Sequence, residues 1–120
     1  KGAQKALEAG AAGIVVSNHG GRVQDGVPAT AQVLPAIADA VKGQMTILVD
    51  GGIRTGVDVV KALALGADGV LLARPYVTAV YGGGADGVQV LTQKLKGELE
   101  DTMAMCGVHS LSEITRELIF

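Results

Sequence analysis

The sequence predicts an α/β fold in which parallel strands alternate with helices, and three observations predict it. Three short apolar runs, Gly13-Ile-Val-Val16, Thr46-Ile-Leu-Val-Asp50 and Gly69-Val-Leu-Leu-Ala73, each follow a helical pattern, and uninterrupted Val, Ile and Leu are how strands covered on both faces read. The chain also repeats itself, residues 6–16 (ALEAGAAGIVV) matching residues 62–72 (ALALGADGVLL) without a gap. One helix-turn-strand unit has been used twice with another strand between, as in a (β/α) array with right-handed crossovers. Finally, hydrophobic residues make up 48% of the chain and aromatic ones only 2%, so the core is built of Ala, Val, Leu and Ile, side chains that suit helices laid on a parallel sheet.

In chain order, residues 3–9 read as a short amphipathic helix with Ala3, Ala6 and Leu7 on one side, stopped by Gly10 in the C′ position. The first strand occupies about 13–17 and residues 20–28 form a loop. Pro28-Ala-Thr-Ala opens a second helical pattern with Val33, Leu34, Ile37, Ala38 and Val41 on one face. Pro35 inside it predicts a helix start near Leu34, with 29–33 in a preceding turn. Gly43 ends that helix, and the second strand leads into Gly51-Gly52. The third helix opens at 55–58, carries Val59, Val60, Ala62, Leu63 and Ala64, and stops at Gly66 before the third strand.

After Arg74-Pro75 come a short segment from Tyr76 to Tyr81, the run Gly82-Gly83-Gly84, and a long helix over about 85–106. Gly97 inside that helix costs about 1 kcal/mol against Ala, which predicts a packing contact or a slight bend there. Gly107 ends the helix, and Ser110 with Glu113 has capping-box spacing for a final helix to Phe120. With no linker and no low-complexity stretch, residues 1–120 read as one partial domain. The chain starts at Lys1 rather than at a methionine, the look of a piece of a longer protein.

Ten basic and twelve acidic residues give a net charge of −2, and neither sign gathers into a block. That excludes a nucleic-acid or anionic-membrane surface. A lone Cys106 cannot make an internal disulfide and reads as a small buried thiol near a helix end, and no Cys/His cluster offers a metal site. No apolar run approaches the roughly 18 residues of a membrane span, and these residues show no signal-peptide pattern. A reducing, cytoplasmic setting is the expectation.

In parallel α/β folds the loops after the strands share one face, and that face holds the site. Three such ends are Ser17-Asn18-His19-Gly20-Gly21-Arg22, Asp50-Gly51-Gly52-Ile53-Arg54 and Ala73-Arg74-Pro75. The last two resemble a phosphate cradle, in which glycines let backbone N–H groups approach oxygens and arginines supply forked donors. Tyr76 to Tyr81 fits the short extra helix that flanks such a cradle. Position alone leaves His19 open between a turn histidine and a base; Arg22, three residues on, favours the base, since it would hold a carboxylate while His19 takes a proton beside it. His109 lies far from any strand end and reads as a capping or surface residue, and Asp25 and Asp58 as loop and first-turn acids. Asp50 ends a buried strand and must find donors, with Arg54 and a polar cofactor edge as candidates.

Together with Leu34-Pro35, the stretches Ser17–Arg22, Asp50–Asp58, Lys61–Ala67 and Arg74-Pro75 resemble the FMN-dependent α-hydroxy-acid dehydrogenases and oxidases, the glycolate oxidase and lactate oxidase group. The resemblance runs over essentially the whole chain. It implies the carboxyl-terminal portion of a (β/α)8 TIM barrel, about strands 6–8 and their helices. It further implies oxidation of a small 2-hydroxy-acid substrate, with His19 as active-site base and Arg22 on the substrate carboxylate. FMN is the implied cofactor, with Ser17 near the flavin ring, the stretch Asp50, Gly51, Gly52, Ile53 and Arg54 along the ribityl chain and phosphate, and Ala73 and Arg74 at the phosphate.

Two departures stand out. Ala73 occupies a position where the family usually has Gly, and the family's flavin-binding lysine lies upstream of Lys1, which aligns within the next helix. The rest of the barrel is therefore an implied partner, and homo-oligomers are expected. Two rival readings are a flavin-dependent isopentenyl-diphosphate isomerase, against which the His19/Arg22 pair counts, and a non-catalytic phosphate- or flavin-binding half-barrel that associates through its open sheet edges.

Overall fold

The structure is a computed structural model and describes residues 1–119. Its elements are α1 (Gly2–Glu8), β1 (Gly13–Val16), α2 (Thr30–Val41), β2 (Thr46–Val49), α3 (Gly56–Ala64), β3 (Gly69–Val70) and α4 (Arg74–Met105), with single 3-10 turns at His19–Gly21, Leu111–Glu113 and Arg116–Leu118. The three strands form one parallel sheet in the order β1-β2-β3. This is the alternation predicted for a share of a (β/α)8 barrel, and the repeated halves are α1-β1 and α3-β3.

Register brings the strand ends level. Val16 sits beside Val49 and Val49 beside Val70, and just past the strands the Asp50 N–H donates to the Val16 carbonyl (3.1 Å) and the Leu71 N–H to the Val49 carbonyl (2.9 Å). The third strand is shorter than its apolar run because β2 stops at Val49, which leaves residues 72 and 73 no ladder to join.

The main core lies between the sheet and the helices. Leu34, Val41, Ile47 and Val49 are essentially solvent-free and pack with Val16, Ala38, Met45, Ile53, Ala62 and Ala67. Each buried Leu, Ile, Val or Met side chain among them contributes about 1.5–3 kcal/mol by leaving water. Gly66 is required there by contact as well as by its φ of +113°, since a β-carbon on it would fall 2.5 Å from that of Ala38. A second cluster joins the outer face of α3 to α4 and the tail through Val60, Ala64 and Ile114, with Leu99 and Met103 against them.

Several expectations are corrected. The second helix starts at Thr30, before Pro35, which lies inside it. A proline costs the helix one N–H bond, and two contacts at the helix start offset that: Gln32 Oε1 accepts the Ala29 N–H (3.0 Å), and the Thr30 hydroxyl donates to the Asp50 carbonyl twenty residues on (2.6 Å). The final helix is not continuous. Glu113 does accept from the His109 N–H and from Ser110 Oγ, but Ile114 and Thr115 are extended because Ile114 is drawn into the second cluster. The last residue of that expected helix, Phe120, lies outside the described residues.

Cys106 is exposed at the C-cap of α4 rather than buried, and Gly97 has neither a bend nor a neighbour, since a β-carbon there would meet nothing within 4 Å. The short extra helix is present. Gly83 and Gly84 (φ +54°) break α4 into 74–82 and 85–105, and the two halves touch where Gly87 faces the Ala79 carbonyl and where the Tyr76 hydroxyl meets Thr92 Oγ1 (2.9 Å). Among the described residues no helix is long and apolar enough to cross a membrane, and no group of His, Cys, Asp and Glu has a metal-holding arrangement.

Candidate active site

The chain leaves β1 through a turn held by its own side chains. Ser17 Oγ accepts the His19 N–H (3.1 Å), Asn18 Oδ1 accepts the Gly20 N–H (2.9 Å), and Asn18 Nδ2 donates to the Pro28 carbonyl (3.4 Å). These bonds hold His19 at φ +53°, the one positive φ among the described residues that is not a glycine's. That conformation costs an ordinary residue about 1 kcal/mol or more, so the strain falls on the candidate base. Arg22 follows after the short 3-10 turn, its N–H on the His19 carbonyl (3.3 Å).

After β2 the backbone turns through Gly51 (φ +87°) and Gly52 (φ +84°), conformations that favour glycine. Asp50 Oδ1 is buried with no hydrogen-bond partner. Arg54, one of the two candidate partners, does not pair with it: Arg54 Nη1 instead donates to the Ile53 carbonyl (2.9 Å). An unpartnered buried carboxylate oxygen calls for a donor from outside the chain.

Most of the amides that begin α3 are already taken. Asp58 Oδ2 accepts from the Arg54 N–H (2.9 Å), the Thr55 N–H (3.0 Å) and the Thr55 hydroxyl (3.0 Å), and the Gly56 N–H goes to Glu98 Oε2 (2.9 Å). Burial raises the Asp58 carboxyl's pKa, but these donors, with Lys61 behind them, outweigh it and hold the group below its ordinary value. The start of α4 differs. Its N-cap is Ala73, with no side-chain cap and a proline next to Arg74, so its positive end is left for an anion. Arg74 leans over the β1 turn, where a β-carbon on Gly20 would fall 2.6 Å from Arg74 Nη2.

All three strand ends meet in one open cleft of 320 Å³, lined by His19, Gly20, Arg22, Asp50, Gly51, Gly52, Ile53, Arg54, Leu71, Leu72, Ala73, Arg74 and Val77. Every predicted site residue is there except Ser17. Ser17 lines a larger cleft of 610 Å³ along the open side of β1, which His19 also borders. Three guanidiniums against one carboxylate give the smaller cleft the chemistry to take an anion, and the buried carboxylate oxygen suits a hydroxyl donor. Asn18 and Thr30 were not singled out by the sequence. Thr30 is the one buried polar residue among the described residues, and its partner lies twenty positions away.

A family model described as FMN-dependent dehydrogenase matches residues 1–120. The chain is 53% identical over 117 residues to an L-lactate dehydrogenase of Xanthomonas campestris pv. campestris, a match covering 98% of this chain and 30% of that protein. It is also 53% identical over 115 residues to an L-lactate dehydrogenase of Pectobacterium atrosepticum, covering 96% and 30%. Among solved structures, mandelate oxidase with benzoyl-formic acid matches at TM-score 0.93 and 48% identity, over 96% of this chain and 34% of that one. A mandelate oxidase variant carrying a monooxide FMN adduct matches equally well, over 37% of its chain. The chain thus spans about 30% of the length of the curated relatives it matches. At this identity and coverage, the chain belongs to the FMN-dependent dehydrogenase family.

Proposed function

We propose that the complete protein oxidises a small 2-hydroxy acid to the 2-oxo acid with FMN, and that this chain supplies the base, the carboxylate clamp and the phosphate end of the flavin site. One observation carries the reading: three strand ends bring His19, Arg22, Arg54, Arg74 and Asp50, whose Oδ1 is buried without a partner, to a single cleft. The relatives bear the names of lactate and mandelate enzymes, and both acids carry a hydroxyl beside a carboxylate.

The residues present fit FMN. Arg54, Arg74 and the uncapped start of α4 would hold its phosphate, Asp50 its polyol hydroxyls, with Gly51, Gly52 and Ile53 alongside and Ser17 toward the ring. Ala73 stands where a glycine is usual, and its N–H still donates to an oxygen. When bound, FMN supplies the two-electron acceptor. The Arg22 guanidinium pairs with the substrate carboxylate and so orients the neighbouring carbon. His19, held in its turn by Ser17 and Asn18, accepts the proton released there.

The test is His19→Gln in the complete protein, with flavin reduction followed in single turnover. A loss of about 100-fold or more is expected, whereas reduction by lactate, glycolate or mandelate at near wild-type rate removes His19 as the base. Turnover of isopentenyl diphosphate in place of a hydroxy acid would move the protein to the isomerase class.

A further inference from the structure

We propose that Thr30 is a positioning residue for the cofactor, fixing the Asp50–Gly51 turn from the first position of α2; this rests on the reading that Asp50 faces FMN. Thr30 is only 5% exposed, and its Oγ1 donates to the Asp50 carbonyl at 2.6 Å. That carbonyl lies just beyond the end of β2, and although the Asp50 N–H still bonds Val16 across the sheet, no strand N–H among the described residues reaches the carbonyl.

The hydroxyl has a single proton, and Asp50 takes it, so Thr30 has none to offer a ligand. Its effect passes through the backbone of residues 50 and 51. Gly51 turns directly against it: a β-carbon on Gly51 would fall 3.2 Å from Thr30 Oγ1 and 3.6 Å from Asn18 Oδ1. Asn18 is itself tied to the Pro28 carbonyl, two residues before Thr30. The helix start therefore braces the turn from below while the Asp50 carboxylate, one oxygen buried and unpartnered, is held at the cleft. Without the Thr30 donor a buried carbonyl loses its bond, and the turn relaxes to regain one. The cost falls on FMN binding, because Arg22 sits on a different turn.

The experiment measures FMN affinity of the complete apoprotein by flavin fluorescence for wild type, Thr30→Val, which keeps the shape and loses the donor, and Thr30→Ser, which keeps the donor and loses a methyl. Thr30→Val is expected to weaken FMN binding roughly tenfold, with the hydroxy-acid KM at saturating FMN unchanged and Thr30→Ser at the wild-type affinity. Equal affinity of Thr30→Val and wild type overturns the assignment while leaving the FMN reading intact. Equal weakening in Thr30→Ser also overturns it, since the methyl rather than the hydroxyl would then matter. If Thr30→Val fails to fold, Thr30→Ala replaces it as the variant without a donor and is read by the same outcomes. A wild-type apoprotein that takes up no FMN overturns both the FMN reading and this assignment.

Discussion

Gly56 and Glu98 pin α3 to α4: the Gly56 N–H donates to Glu98 Oε2 at 2.9 Å, and a β-carbon on Gly56 would fall 2.7 Å from Glu98 Cβ and 2.2 Å from the Leu99 nitrogen. The Lys94 ammonium, and after it the Gly56 amide, hold the Glu98 carboxyl below its ordinary pKa. Alanine is the better helix former by about 1 kcal/mol, yet Gly56→Ala has to push two backbones apart, and overpacking of this kind costs about 1–3 kcal/mol. Gly56→Ala is expected to lower the urea midpoint of the complete protein.

Gly97, in the same helix as Glu98, carries the opposite expectation. Its backbone is helical and a β-carbon meets nothing within 4 Å, so Gly97→Ala should stabilise by about 0.5–1 kcal/mol through the unfolded state. Paired urea titrations of the two variants check both signs, and a midpoint lowered by Gly97→Ala would reveal a contact at that position.

Asp58 gives a pH dependence. Burial raises its carboxyl's pKa, but the Arg54 and Thr55 donors together outweigh that and hold it below its ordinary value in the folded chain. The unfolded chain therefore takes up the proton first as pH falls. The Asp58 contribution is full above the unfolded pKa and is lost as pH drops through the folded one. Asp58→Asn is expected to cost about 1 kcal/mol at neutral pH and to match wild type once the pH lies below both values. Urea unfolding of the two proteins across that range measures the difference, and a gap that persists in acid would assign the cost to shape rather than charge.

What the sequence made legible was local. The strands were readable because each is a short run of Val, Ile and Leu, and the stops at Gly10, Gly43 and Gly51 because a positive φ falls on a glycine in each case. The strand ends could be assigned to one cleft because parallel order alone sends them to the same face. Misreadings arose where a distant contact decided the outcome. Pro35 stays inside α2 because Thr30 is anchored to Asp50, and the last helix breaks because Ile114 packs on Val60 and Ala64, some fifty residues earlier. Of the two donors the sequence offers Asp50, Arg54 and a cofactor edge, Arg54 bonds its neighbour's carbonyl instead. Asn18 and Thr30 carry no local mark of their bonds to Pro28 and Asp50.

Asp68 does at the far end of the sheet what Thr30 does at the site. Its Oδ2 accepts the Ile47 N–H at 2.8 Å, its own N–H donates to the Ile47 carbonyl at 2.7 Å, and Lys42 lies 3.7 Å from its other oxygen while bonding the Gly66 carbonyl. Asp68→Ala leaves the Ile47 N–H without a partner beside a solvent-free side chain, a loss of about 1–3 kcal/mol. Removing only the Lys42 charge, exposed as the pair is, should cost under about 1 kcal/mol. Neither residue lines the cleft, so FMN affinity of Asp68→Ala should equal that of wild type in conditions where both are folded; a weakened affinity would show that the two ends of the sheet are coupled.

The 120-residue chain by itself presents a different prediction. β1 and β3 each have one edge without a partner, Val15 and Leu71 are 49% and 42% exposed, and the 610 Å³ cleft runs along the open side of β1 with Ile14, Val23, Val33 and Ile37 in its walls. Unpaired edges beside exposed apolar surface recruit further chains. The residues proposed to hold the flavin also come from one side only, the loops after β1, β2 and β3. The isolated chain is therefore expected to elute in size-exclusion chromatography well above its 12.1 kDa and to retain no stoichiometric FMN, with uptake appearing only when the remainder of the complete protein is supplied as a second chain. A 12.1 kDa monomer that holds FMN alone would mean that the Asp50–Arg54 and Ala73–Arg74 turns suffice for the phosphate and polyol without the other strands.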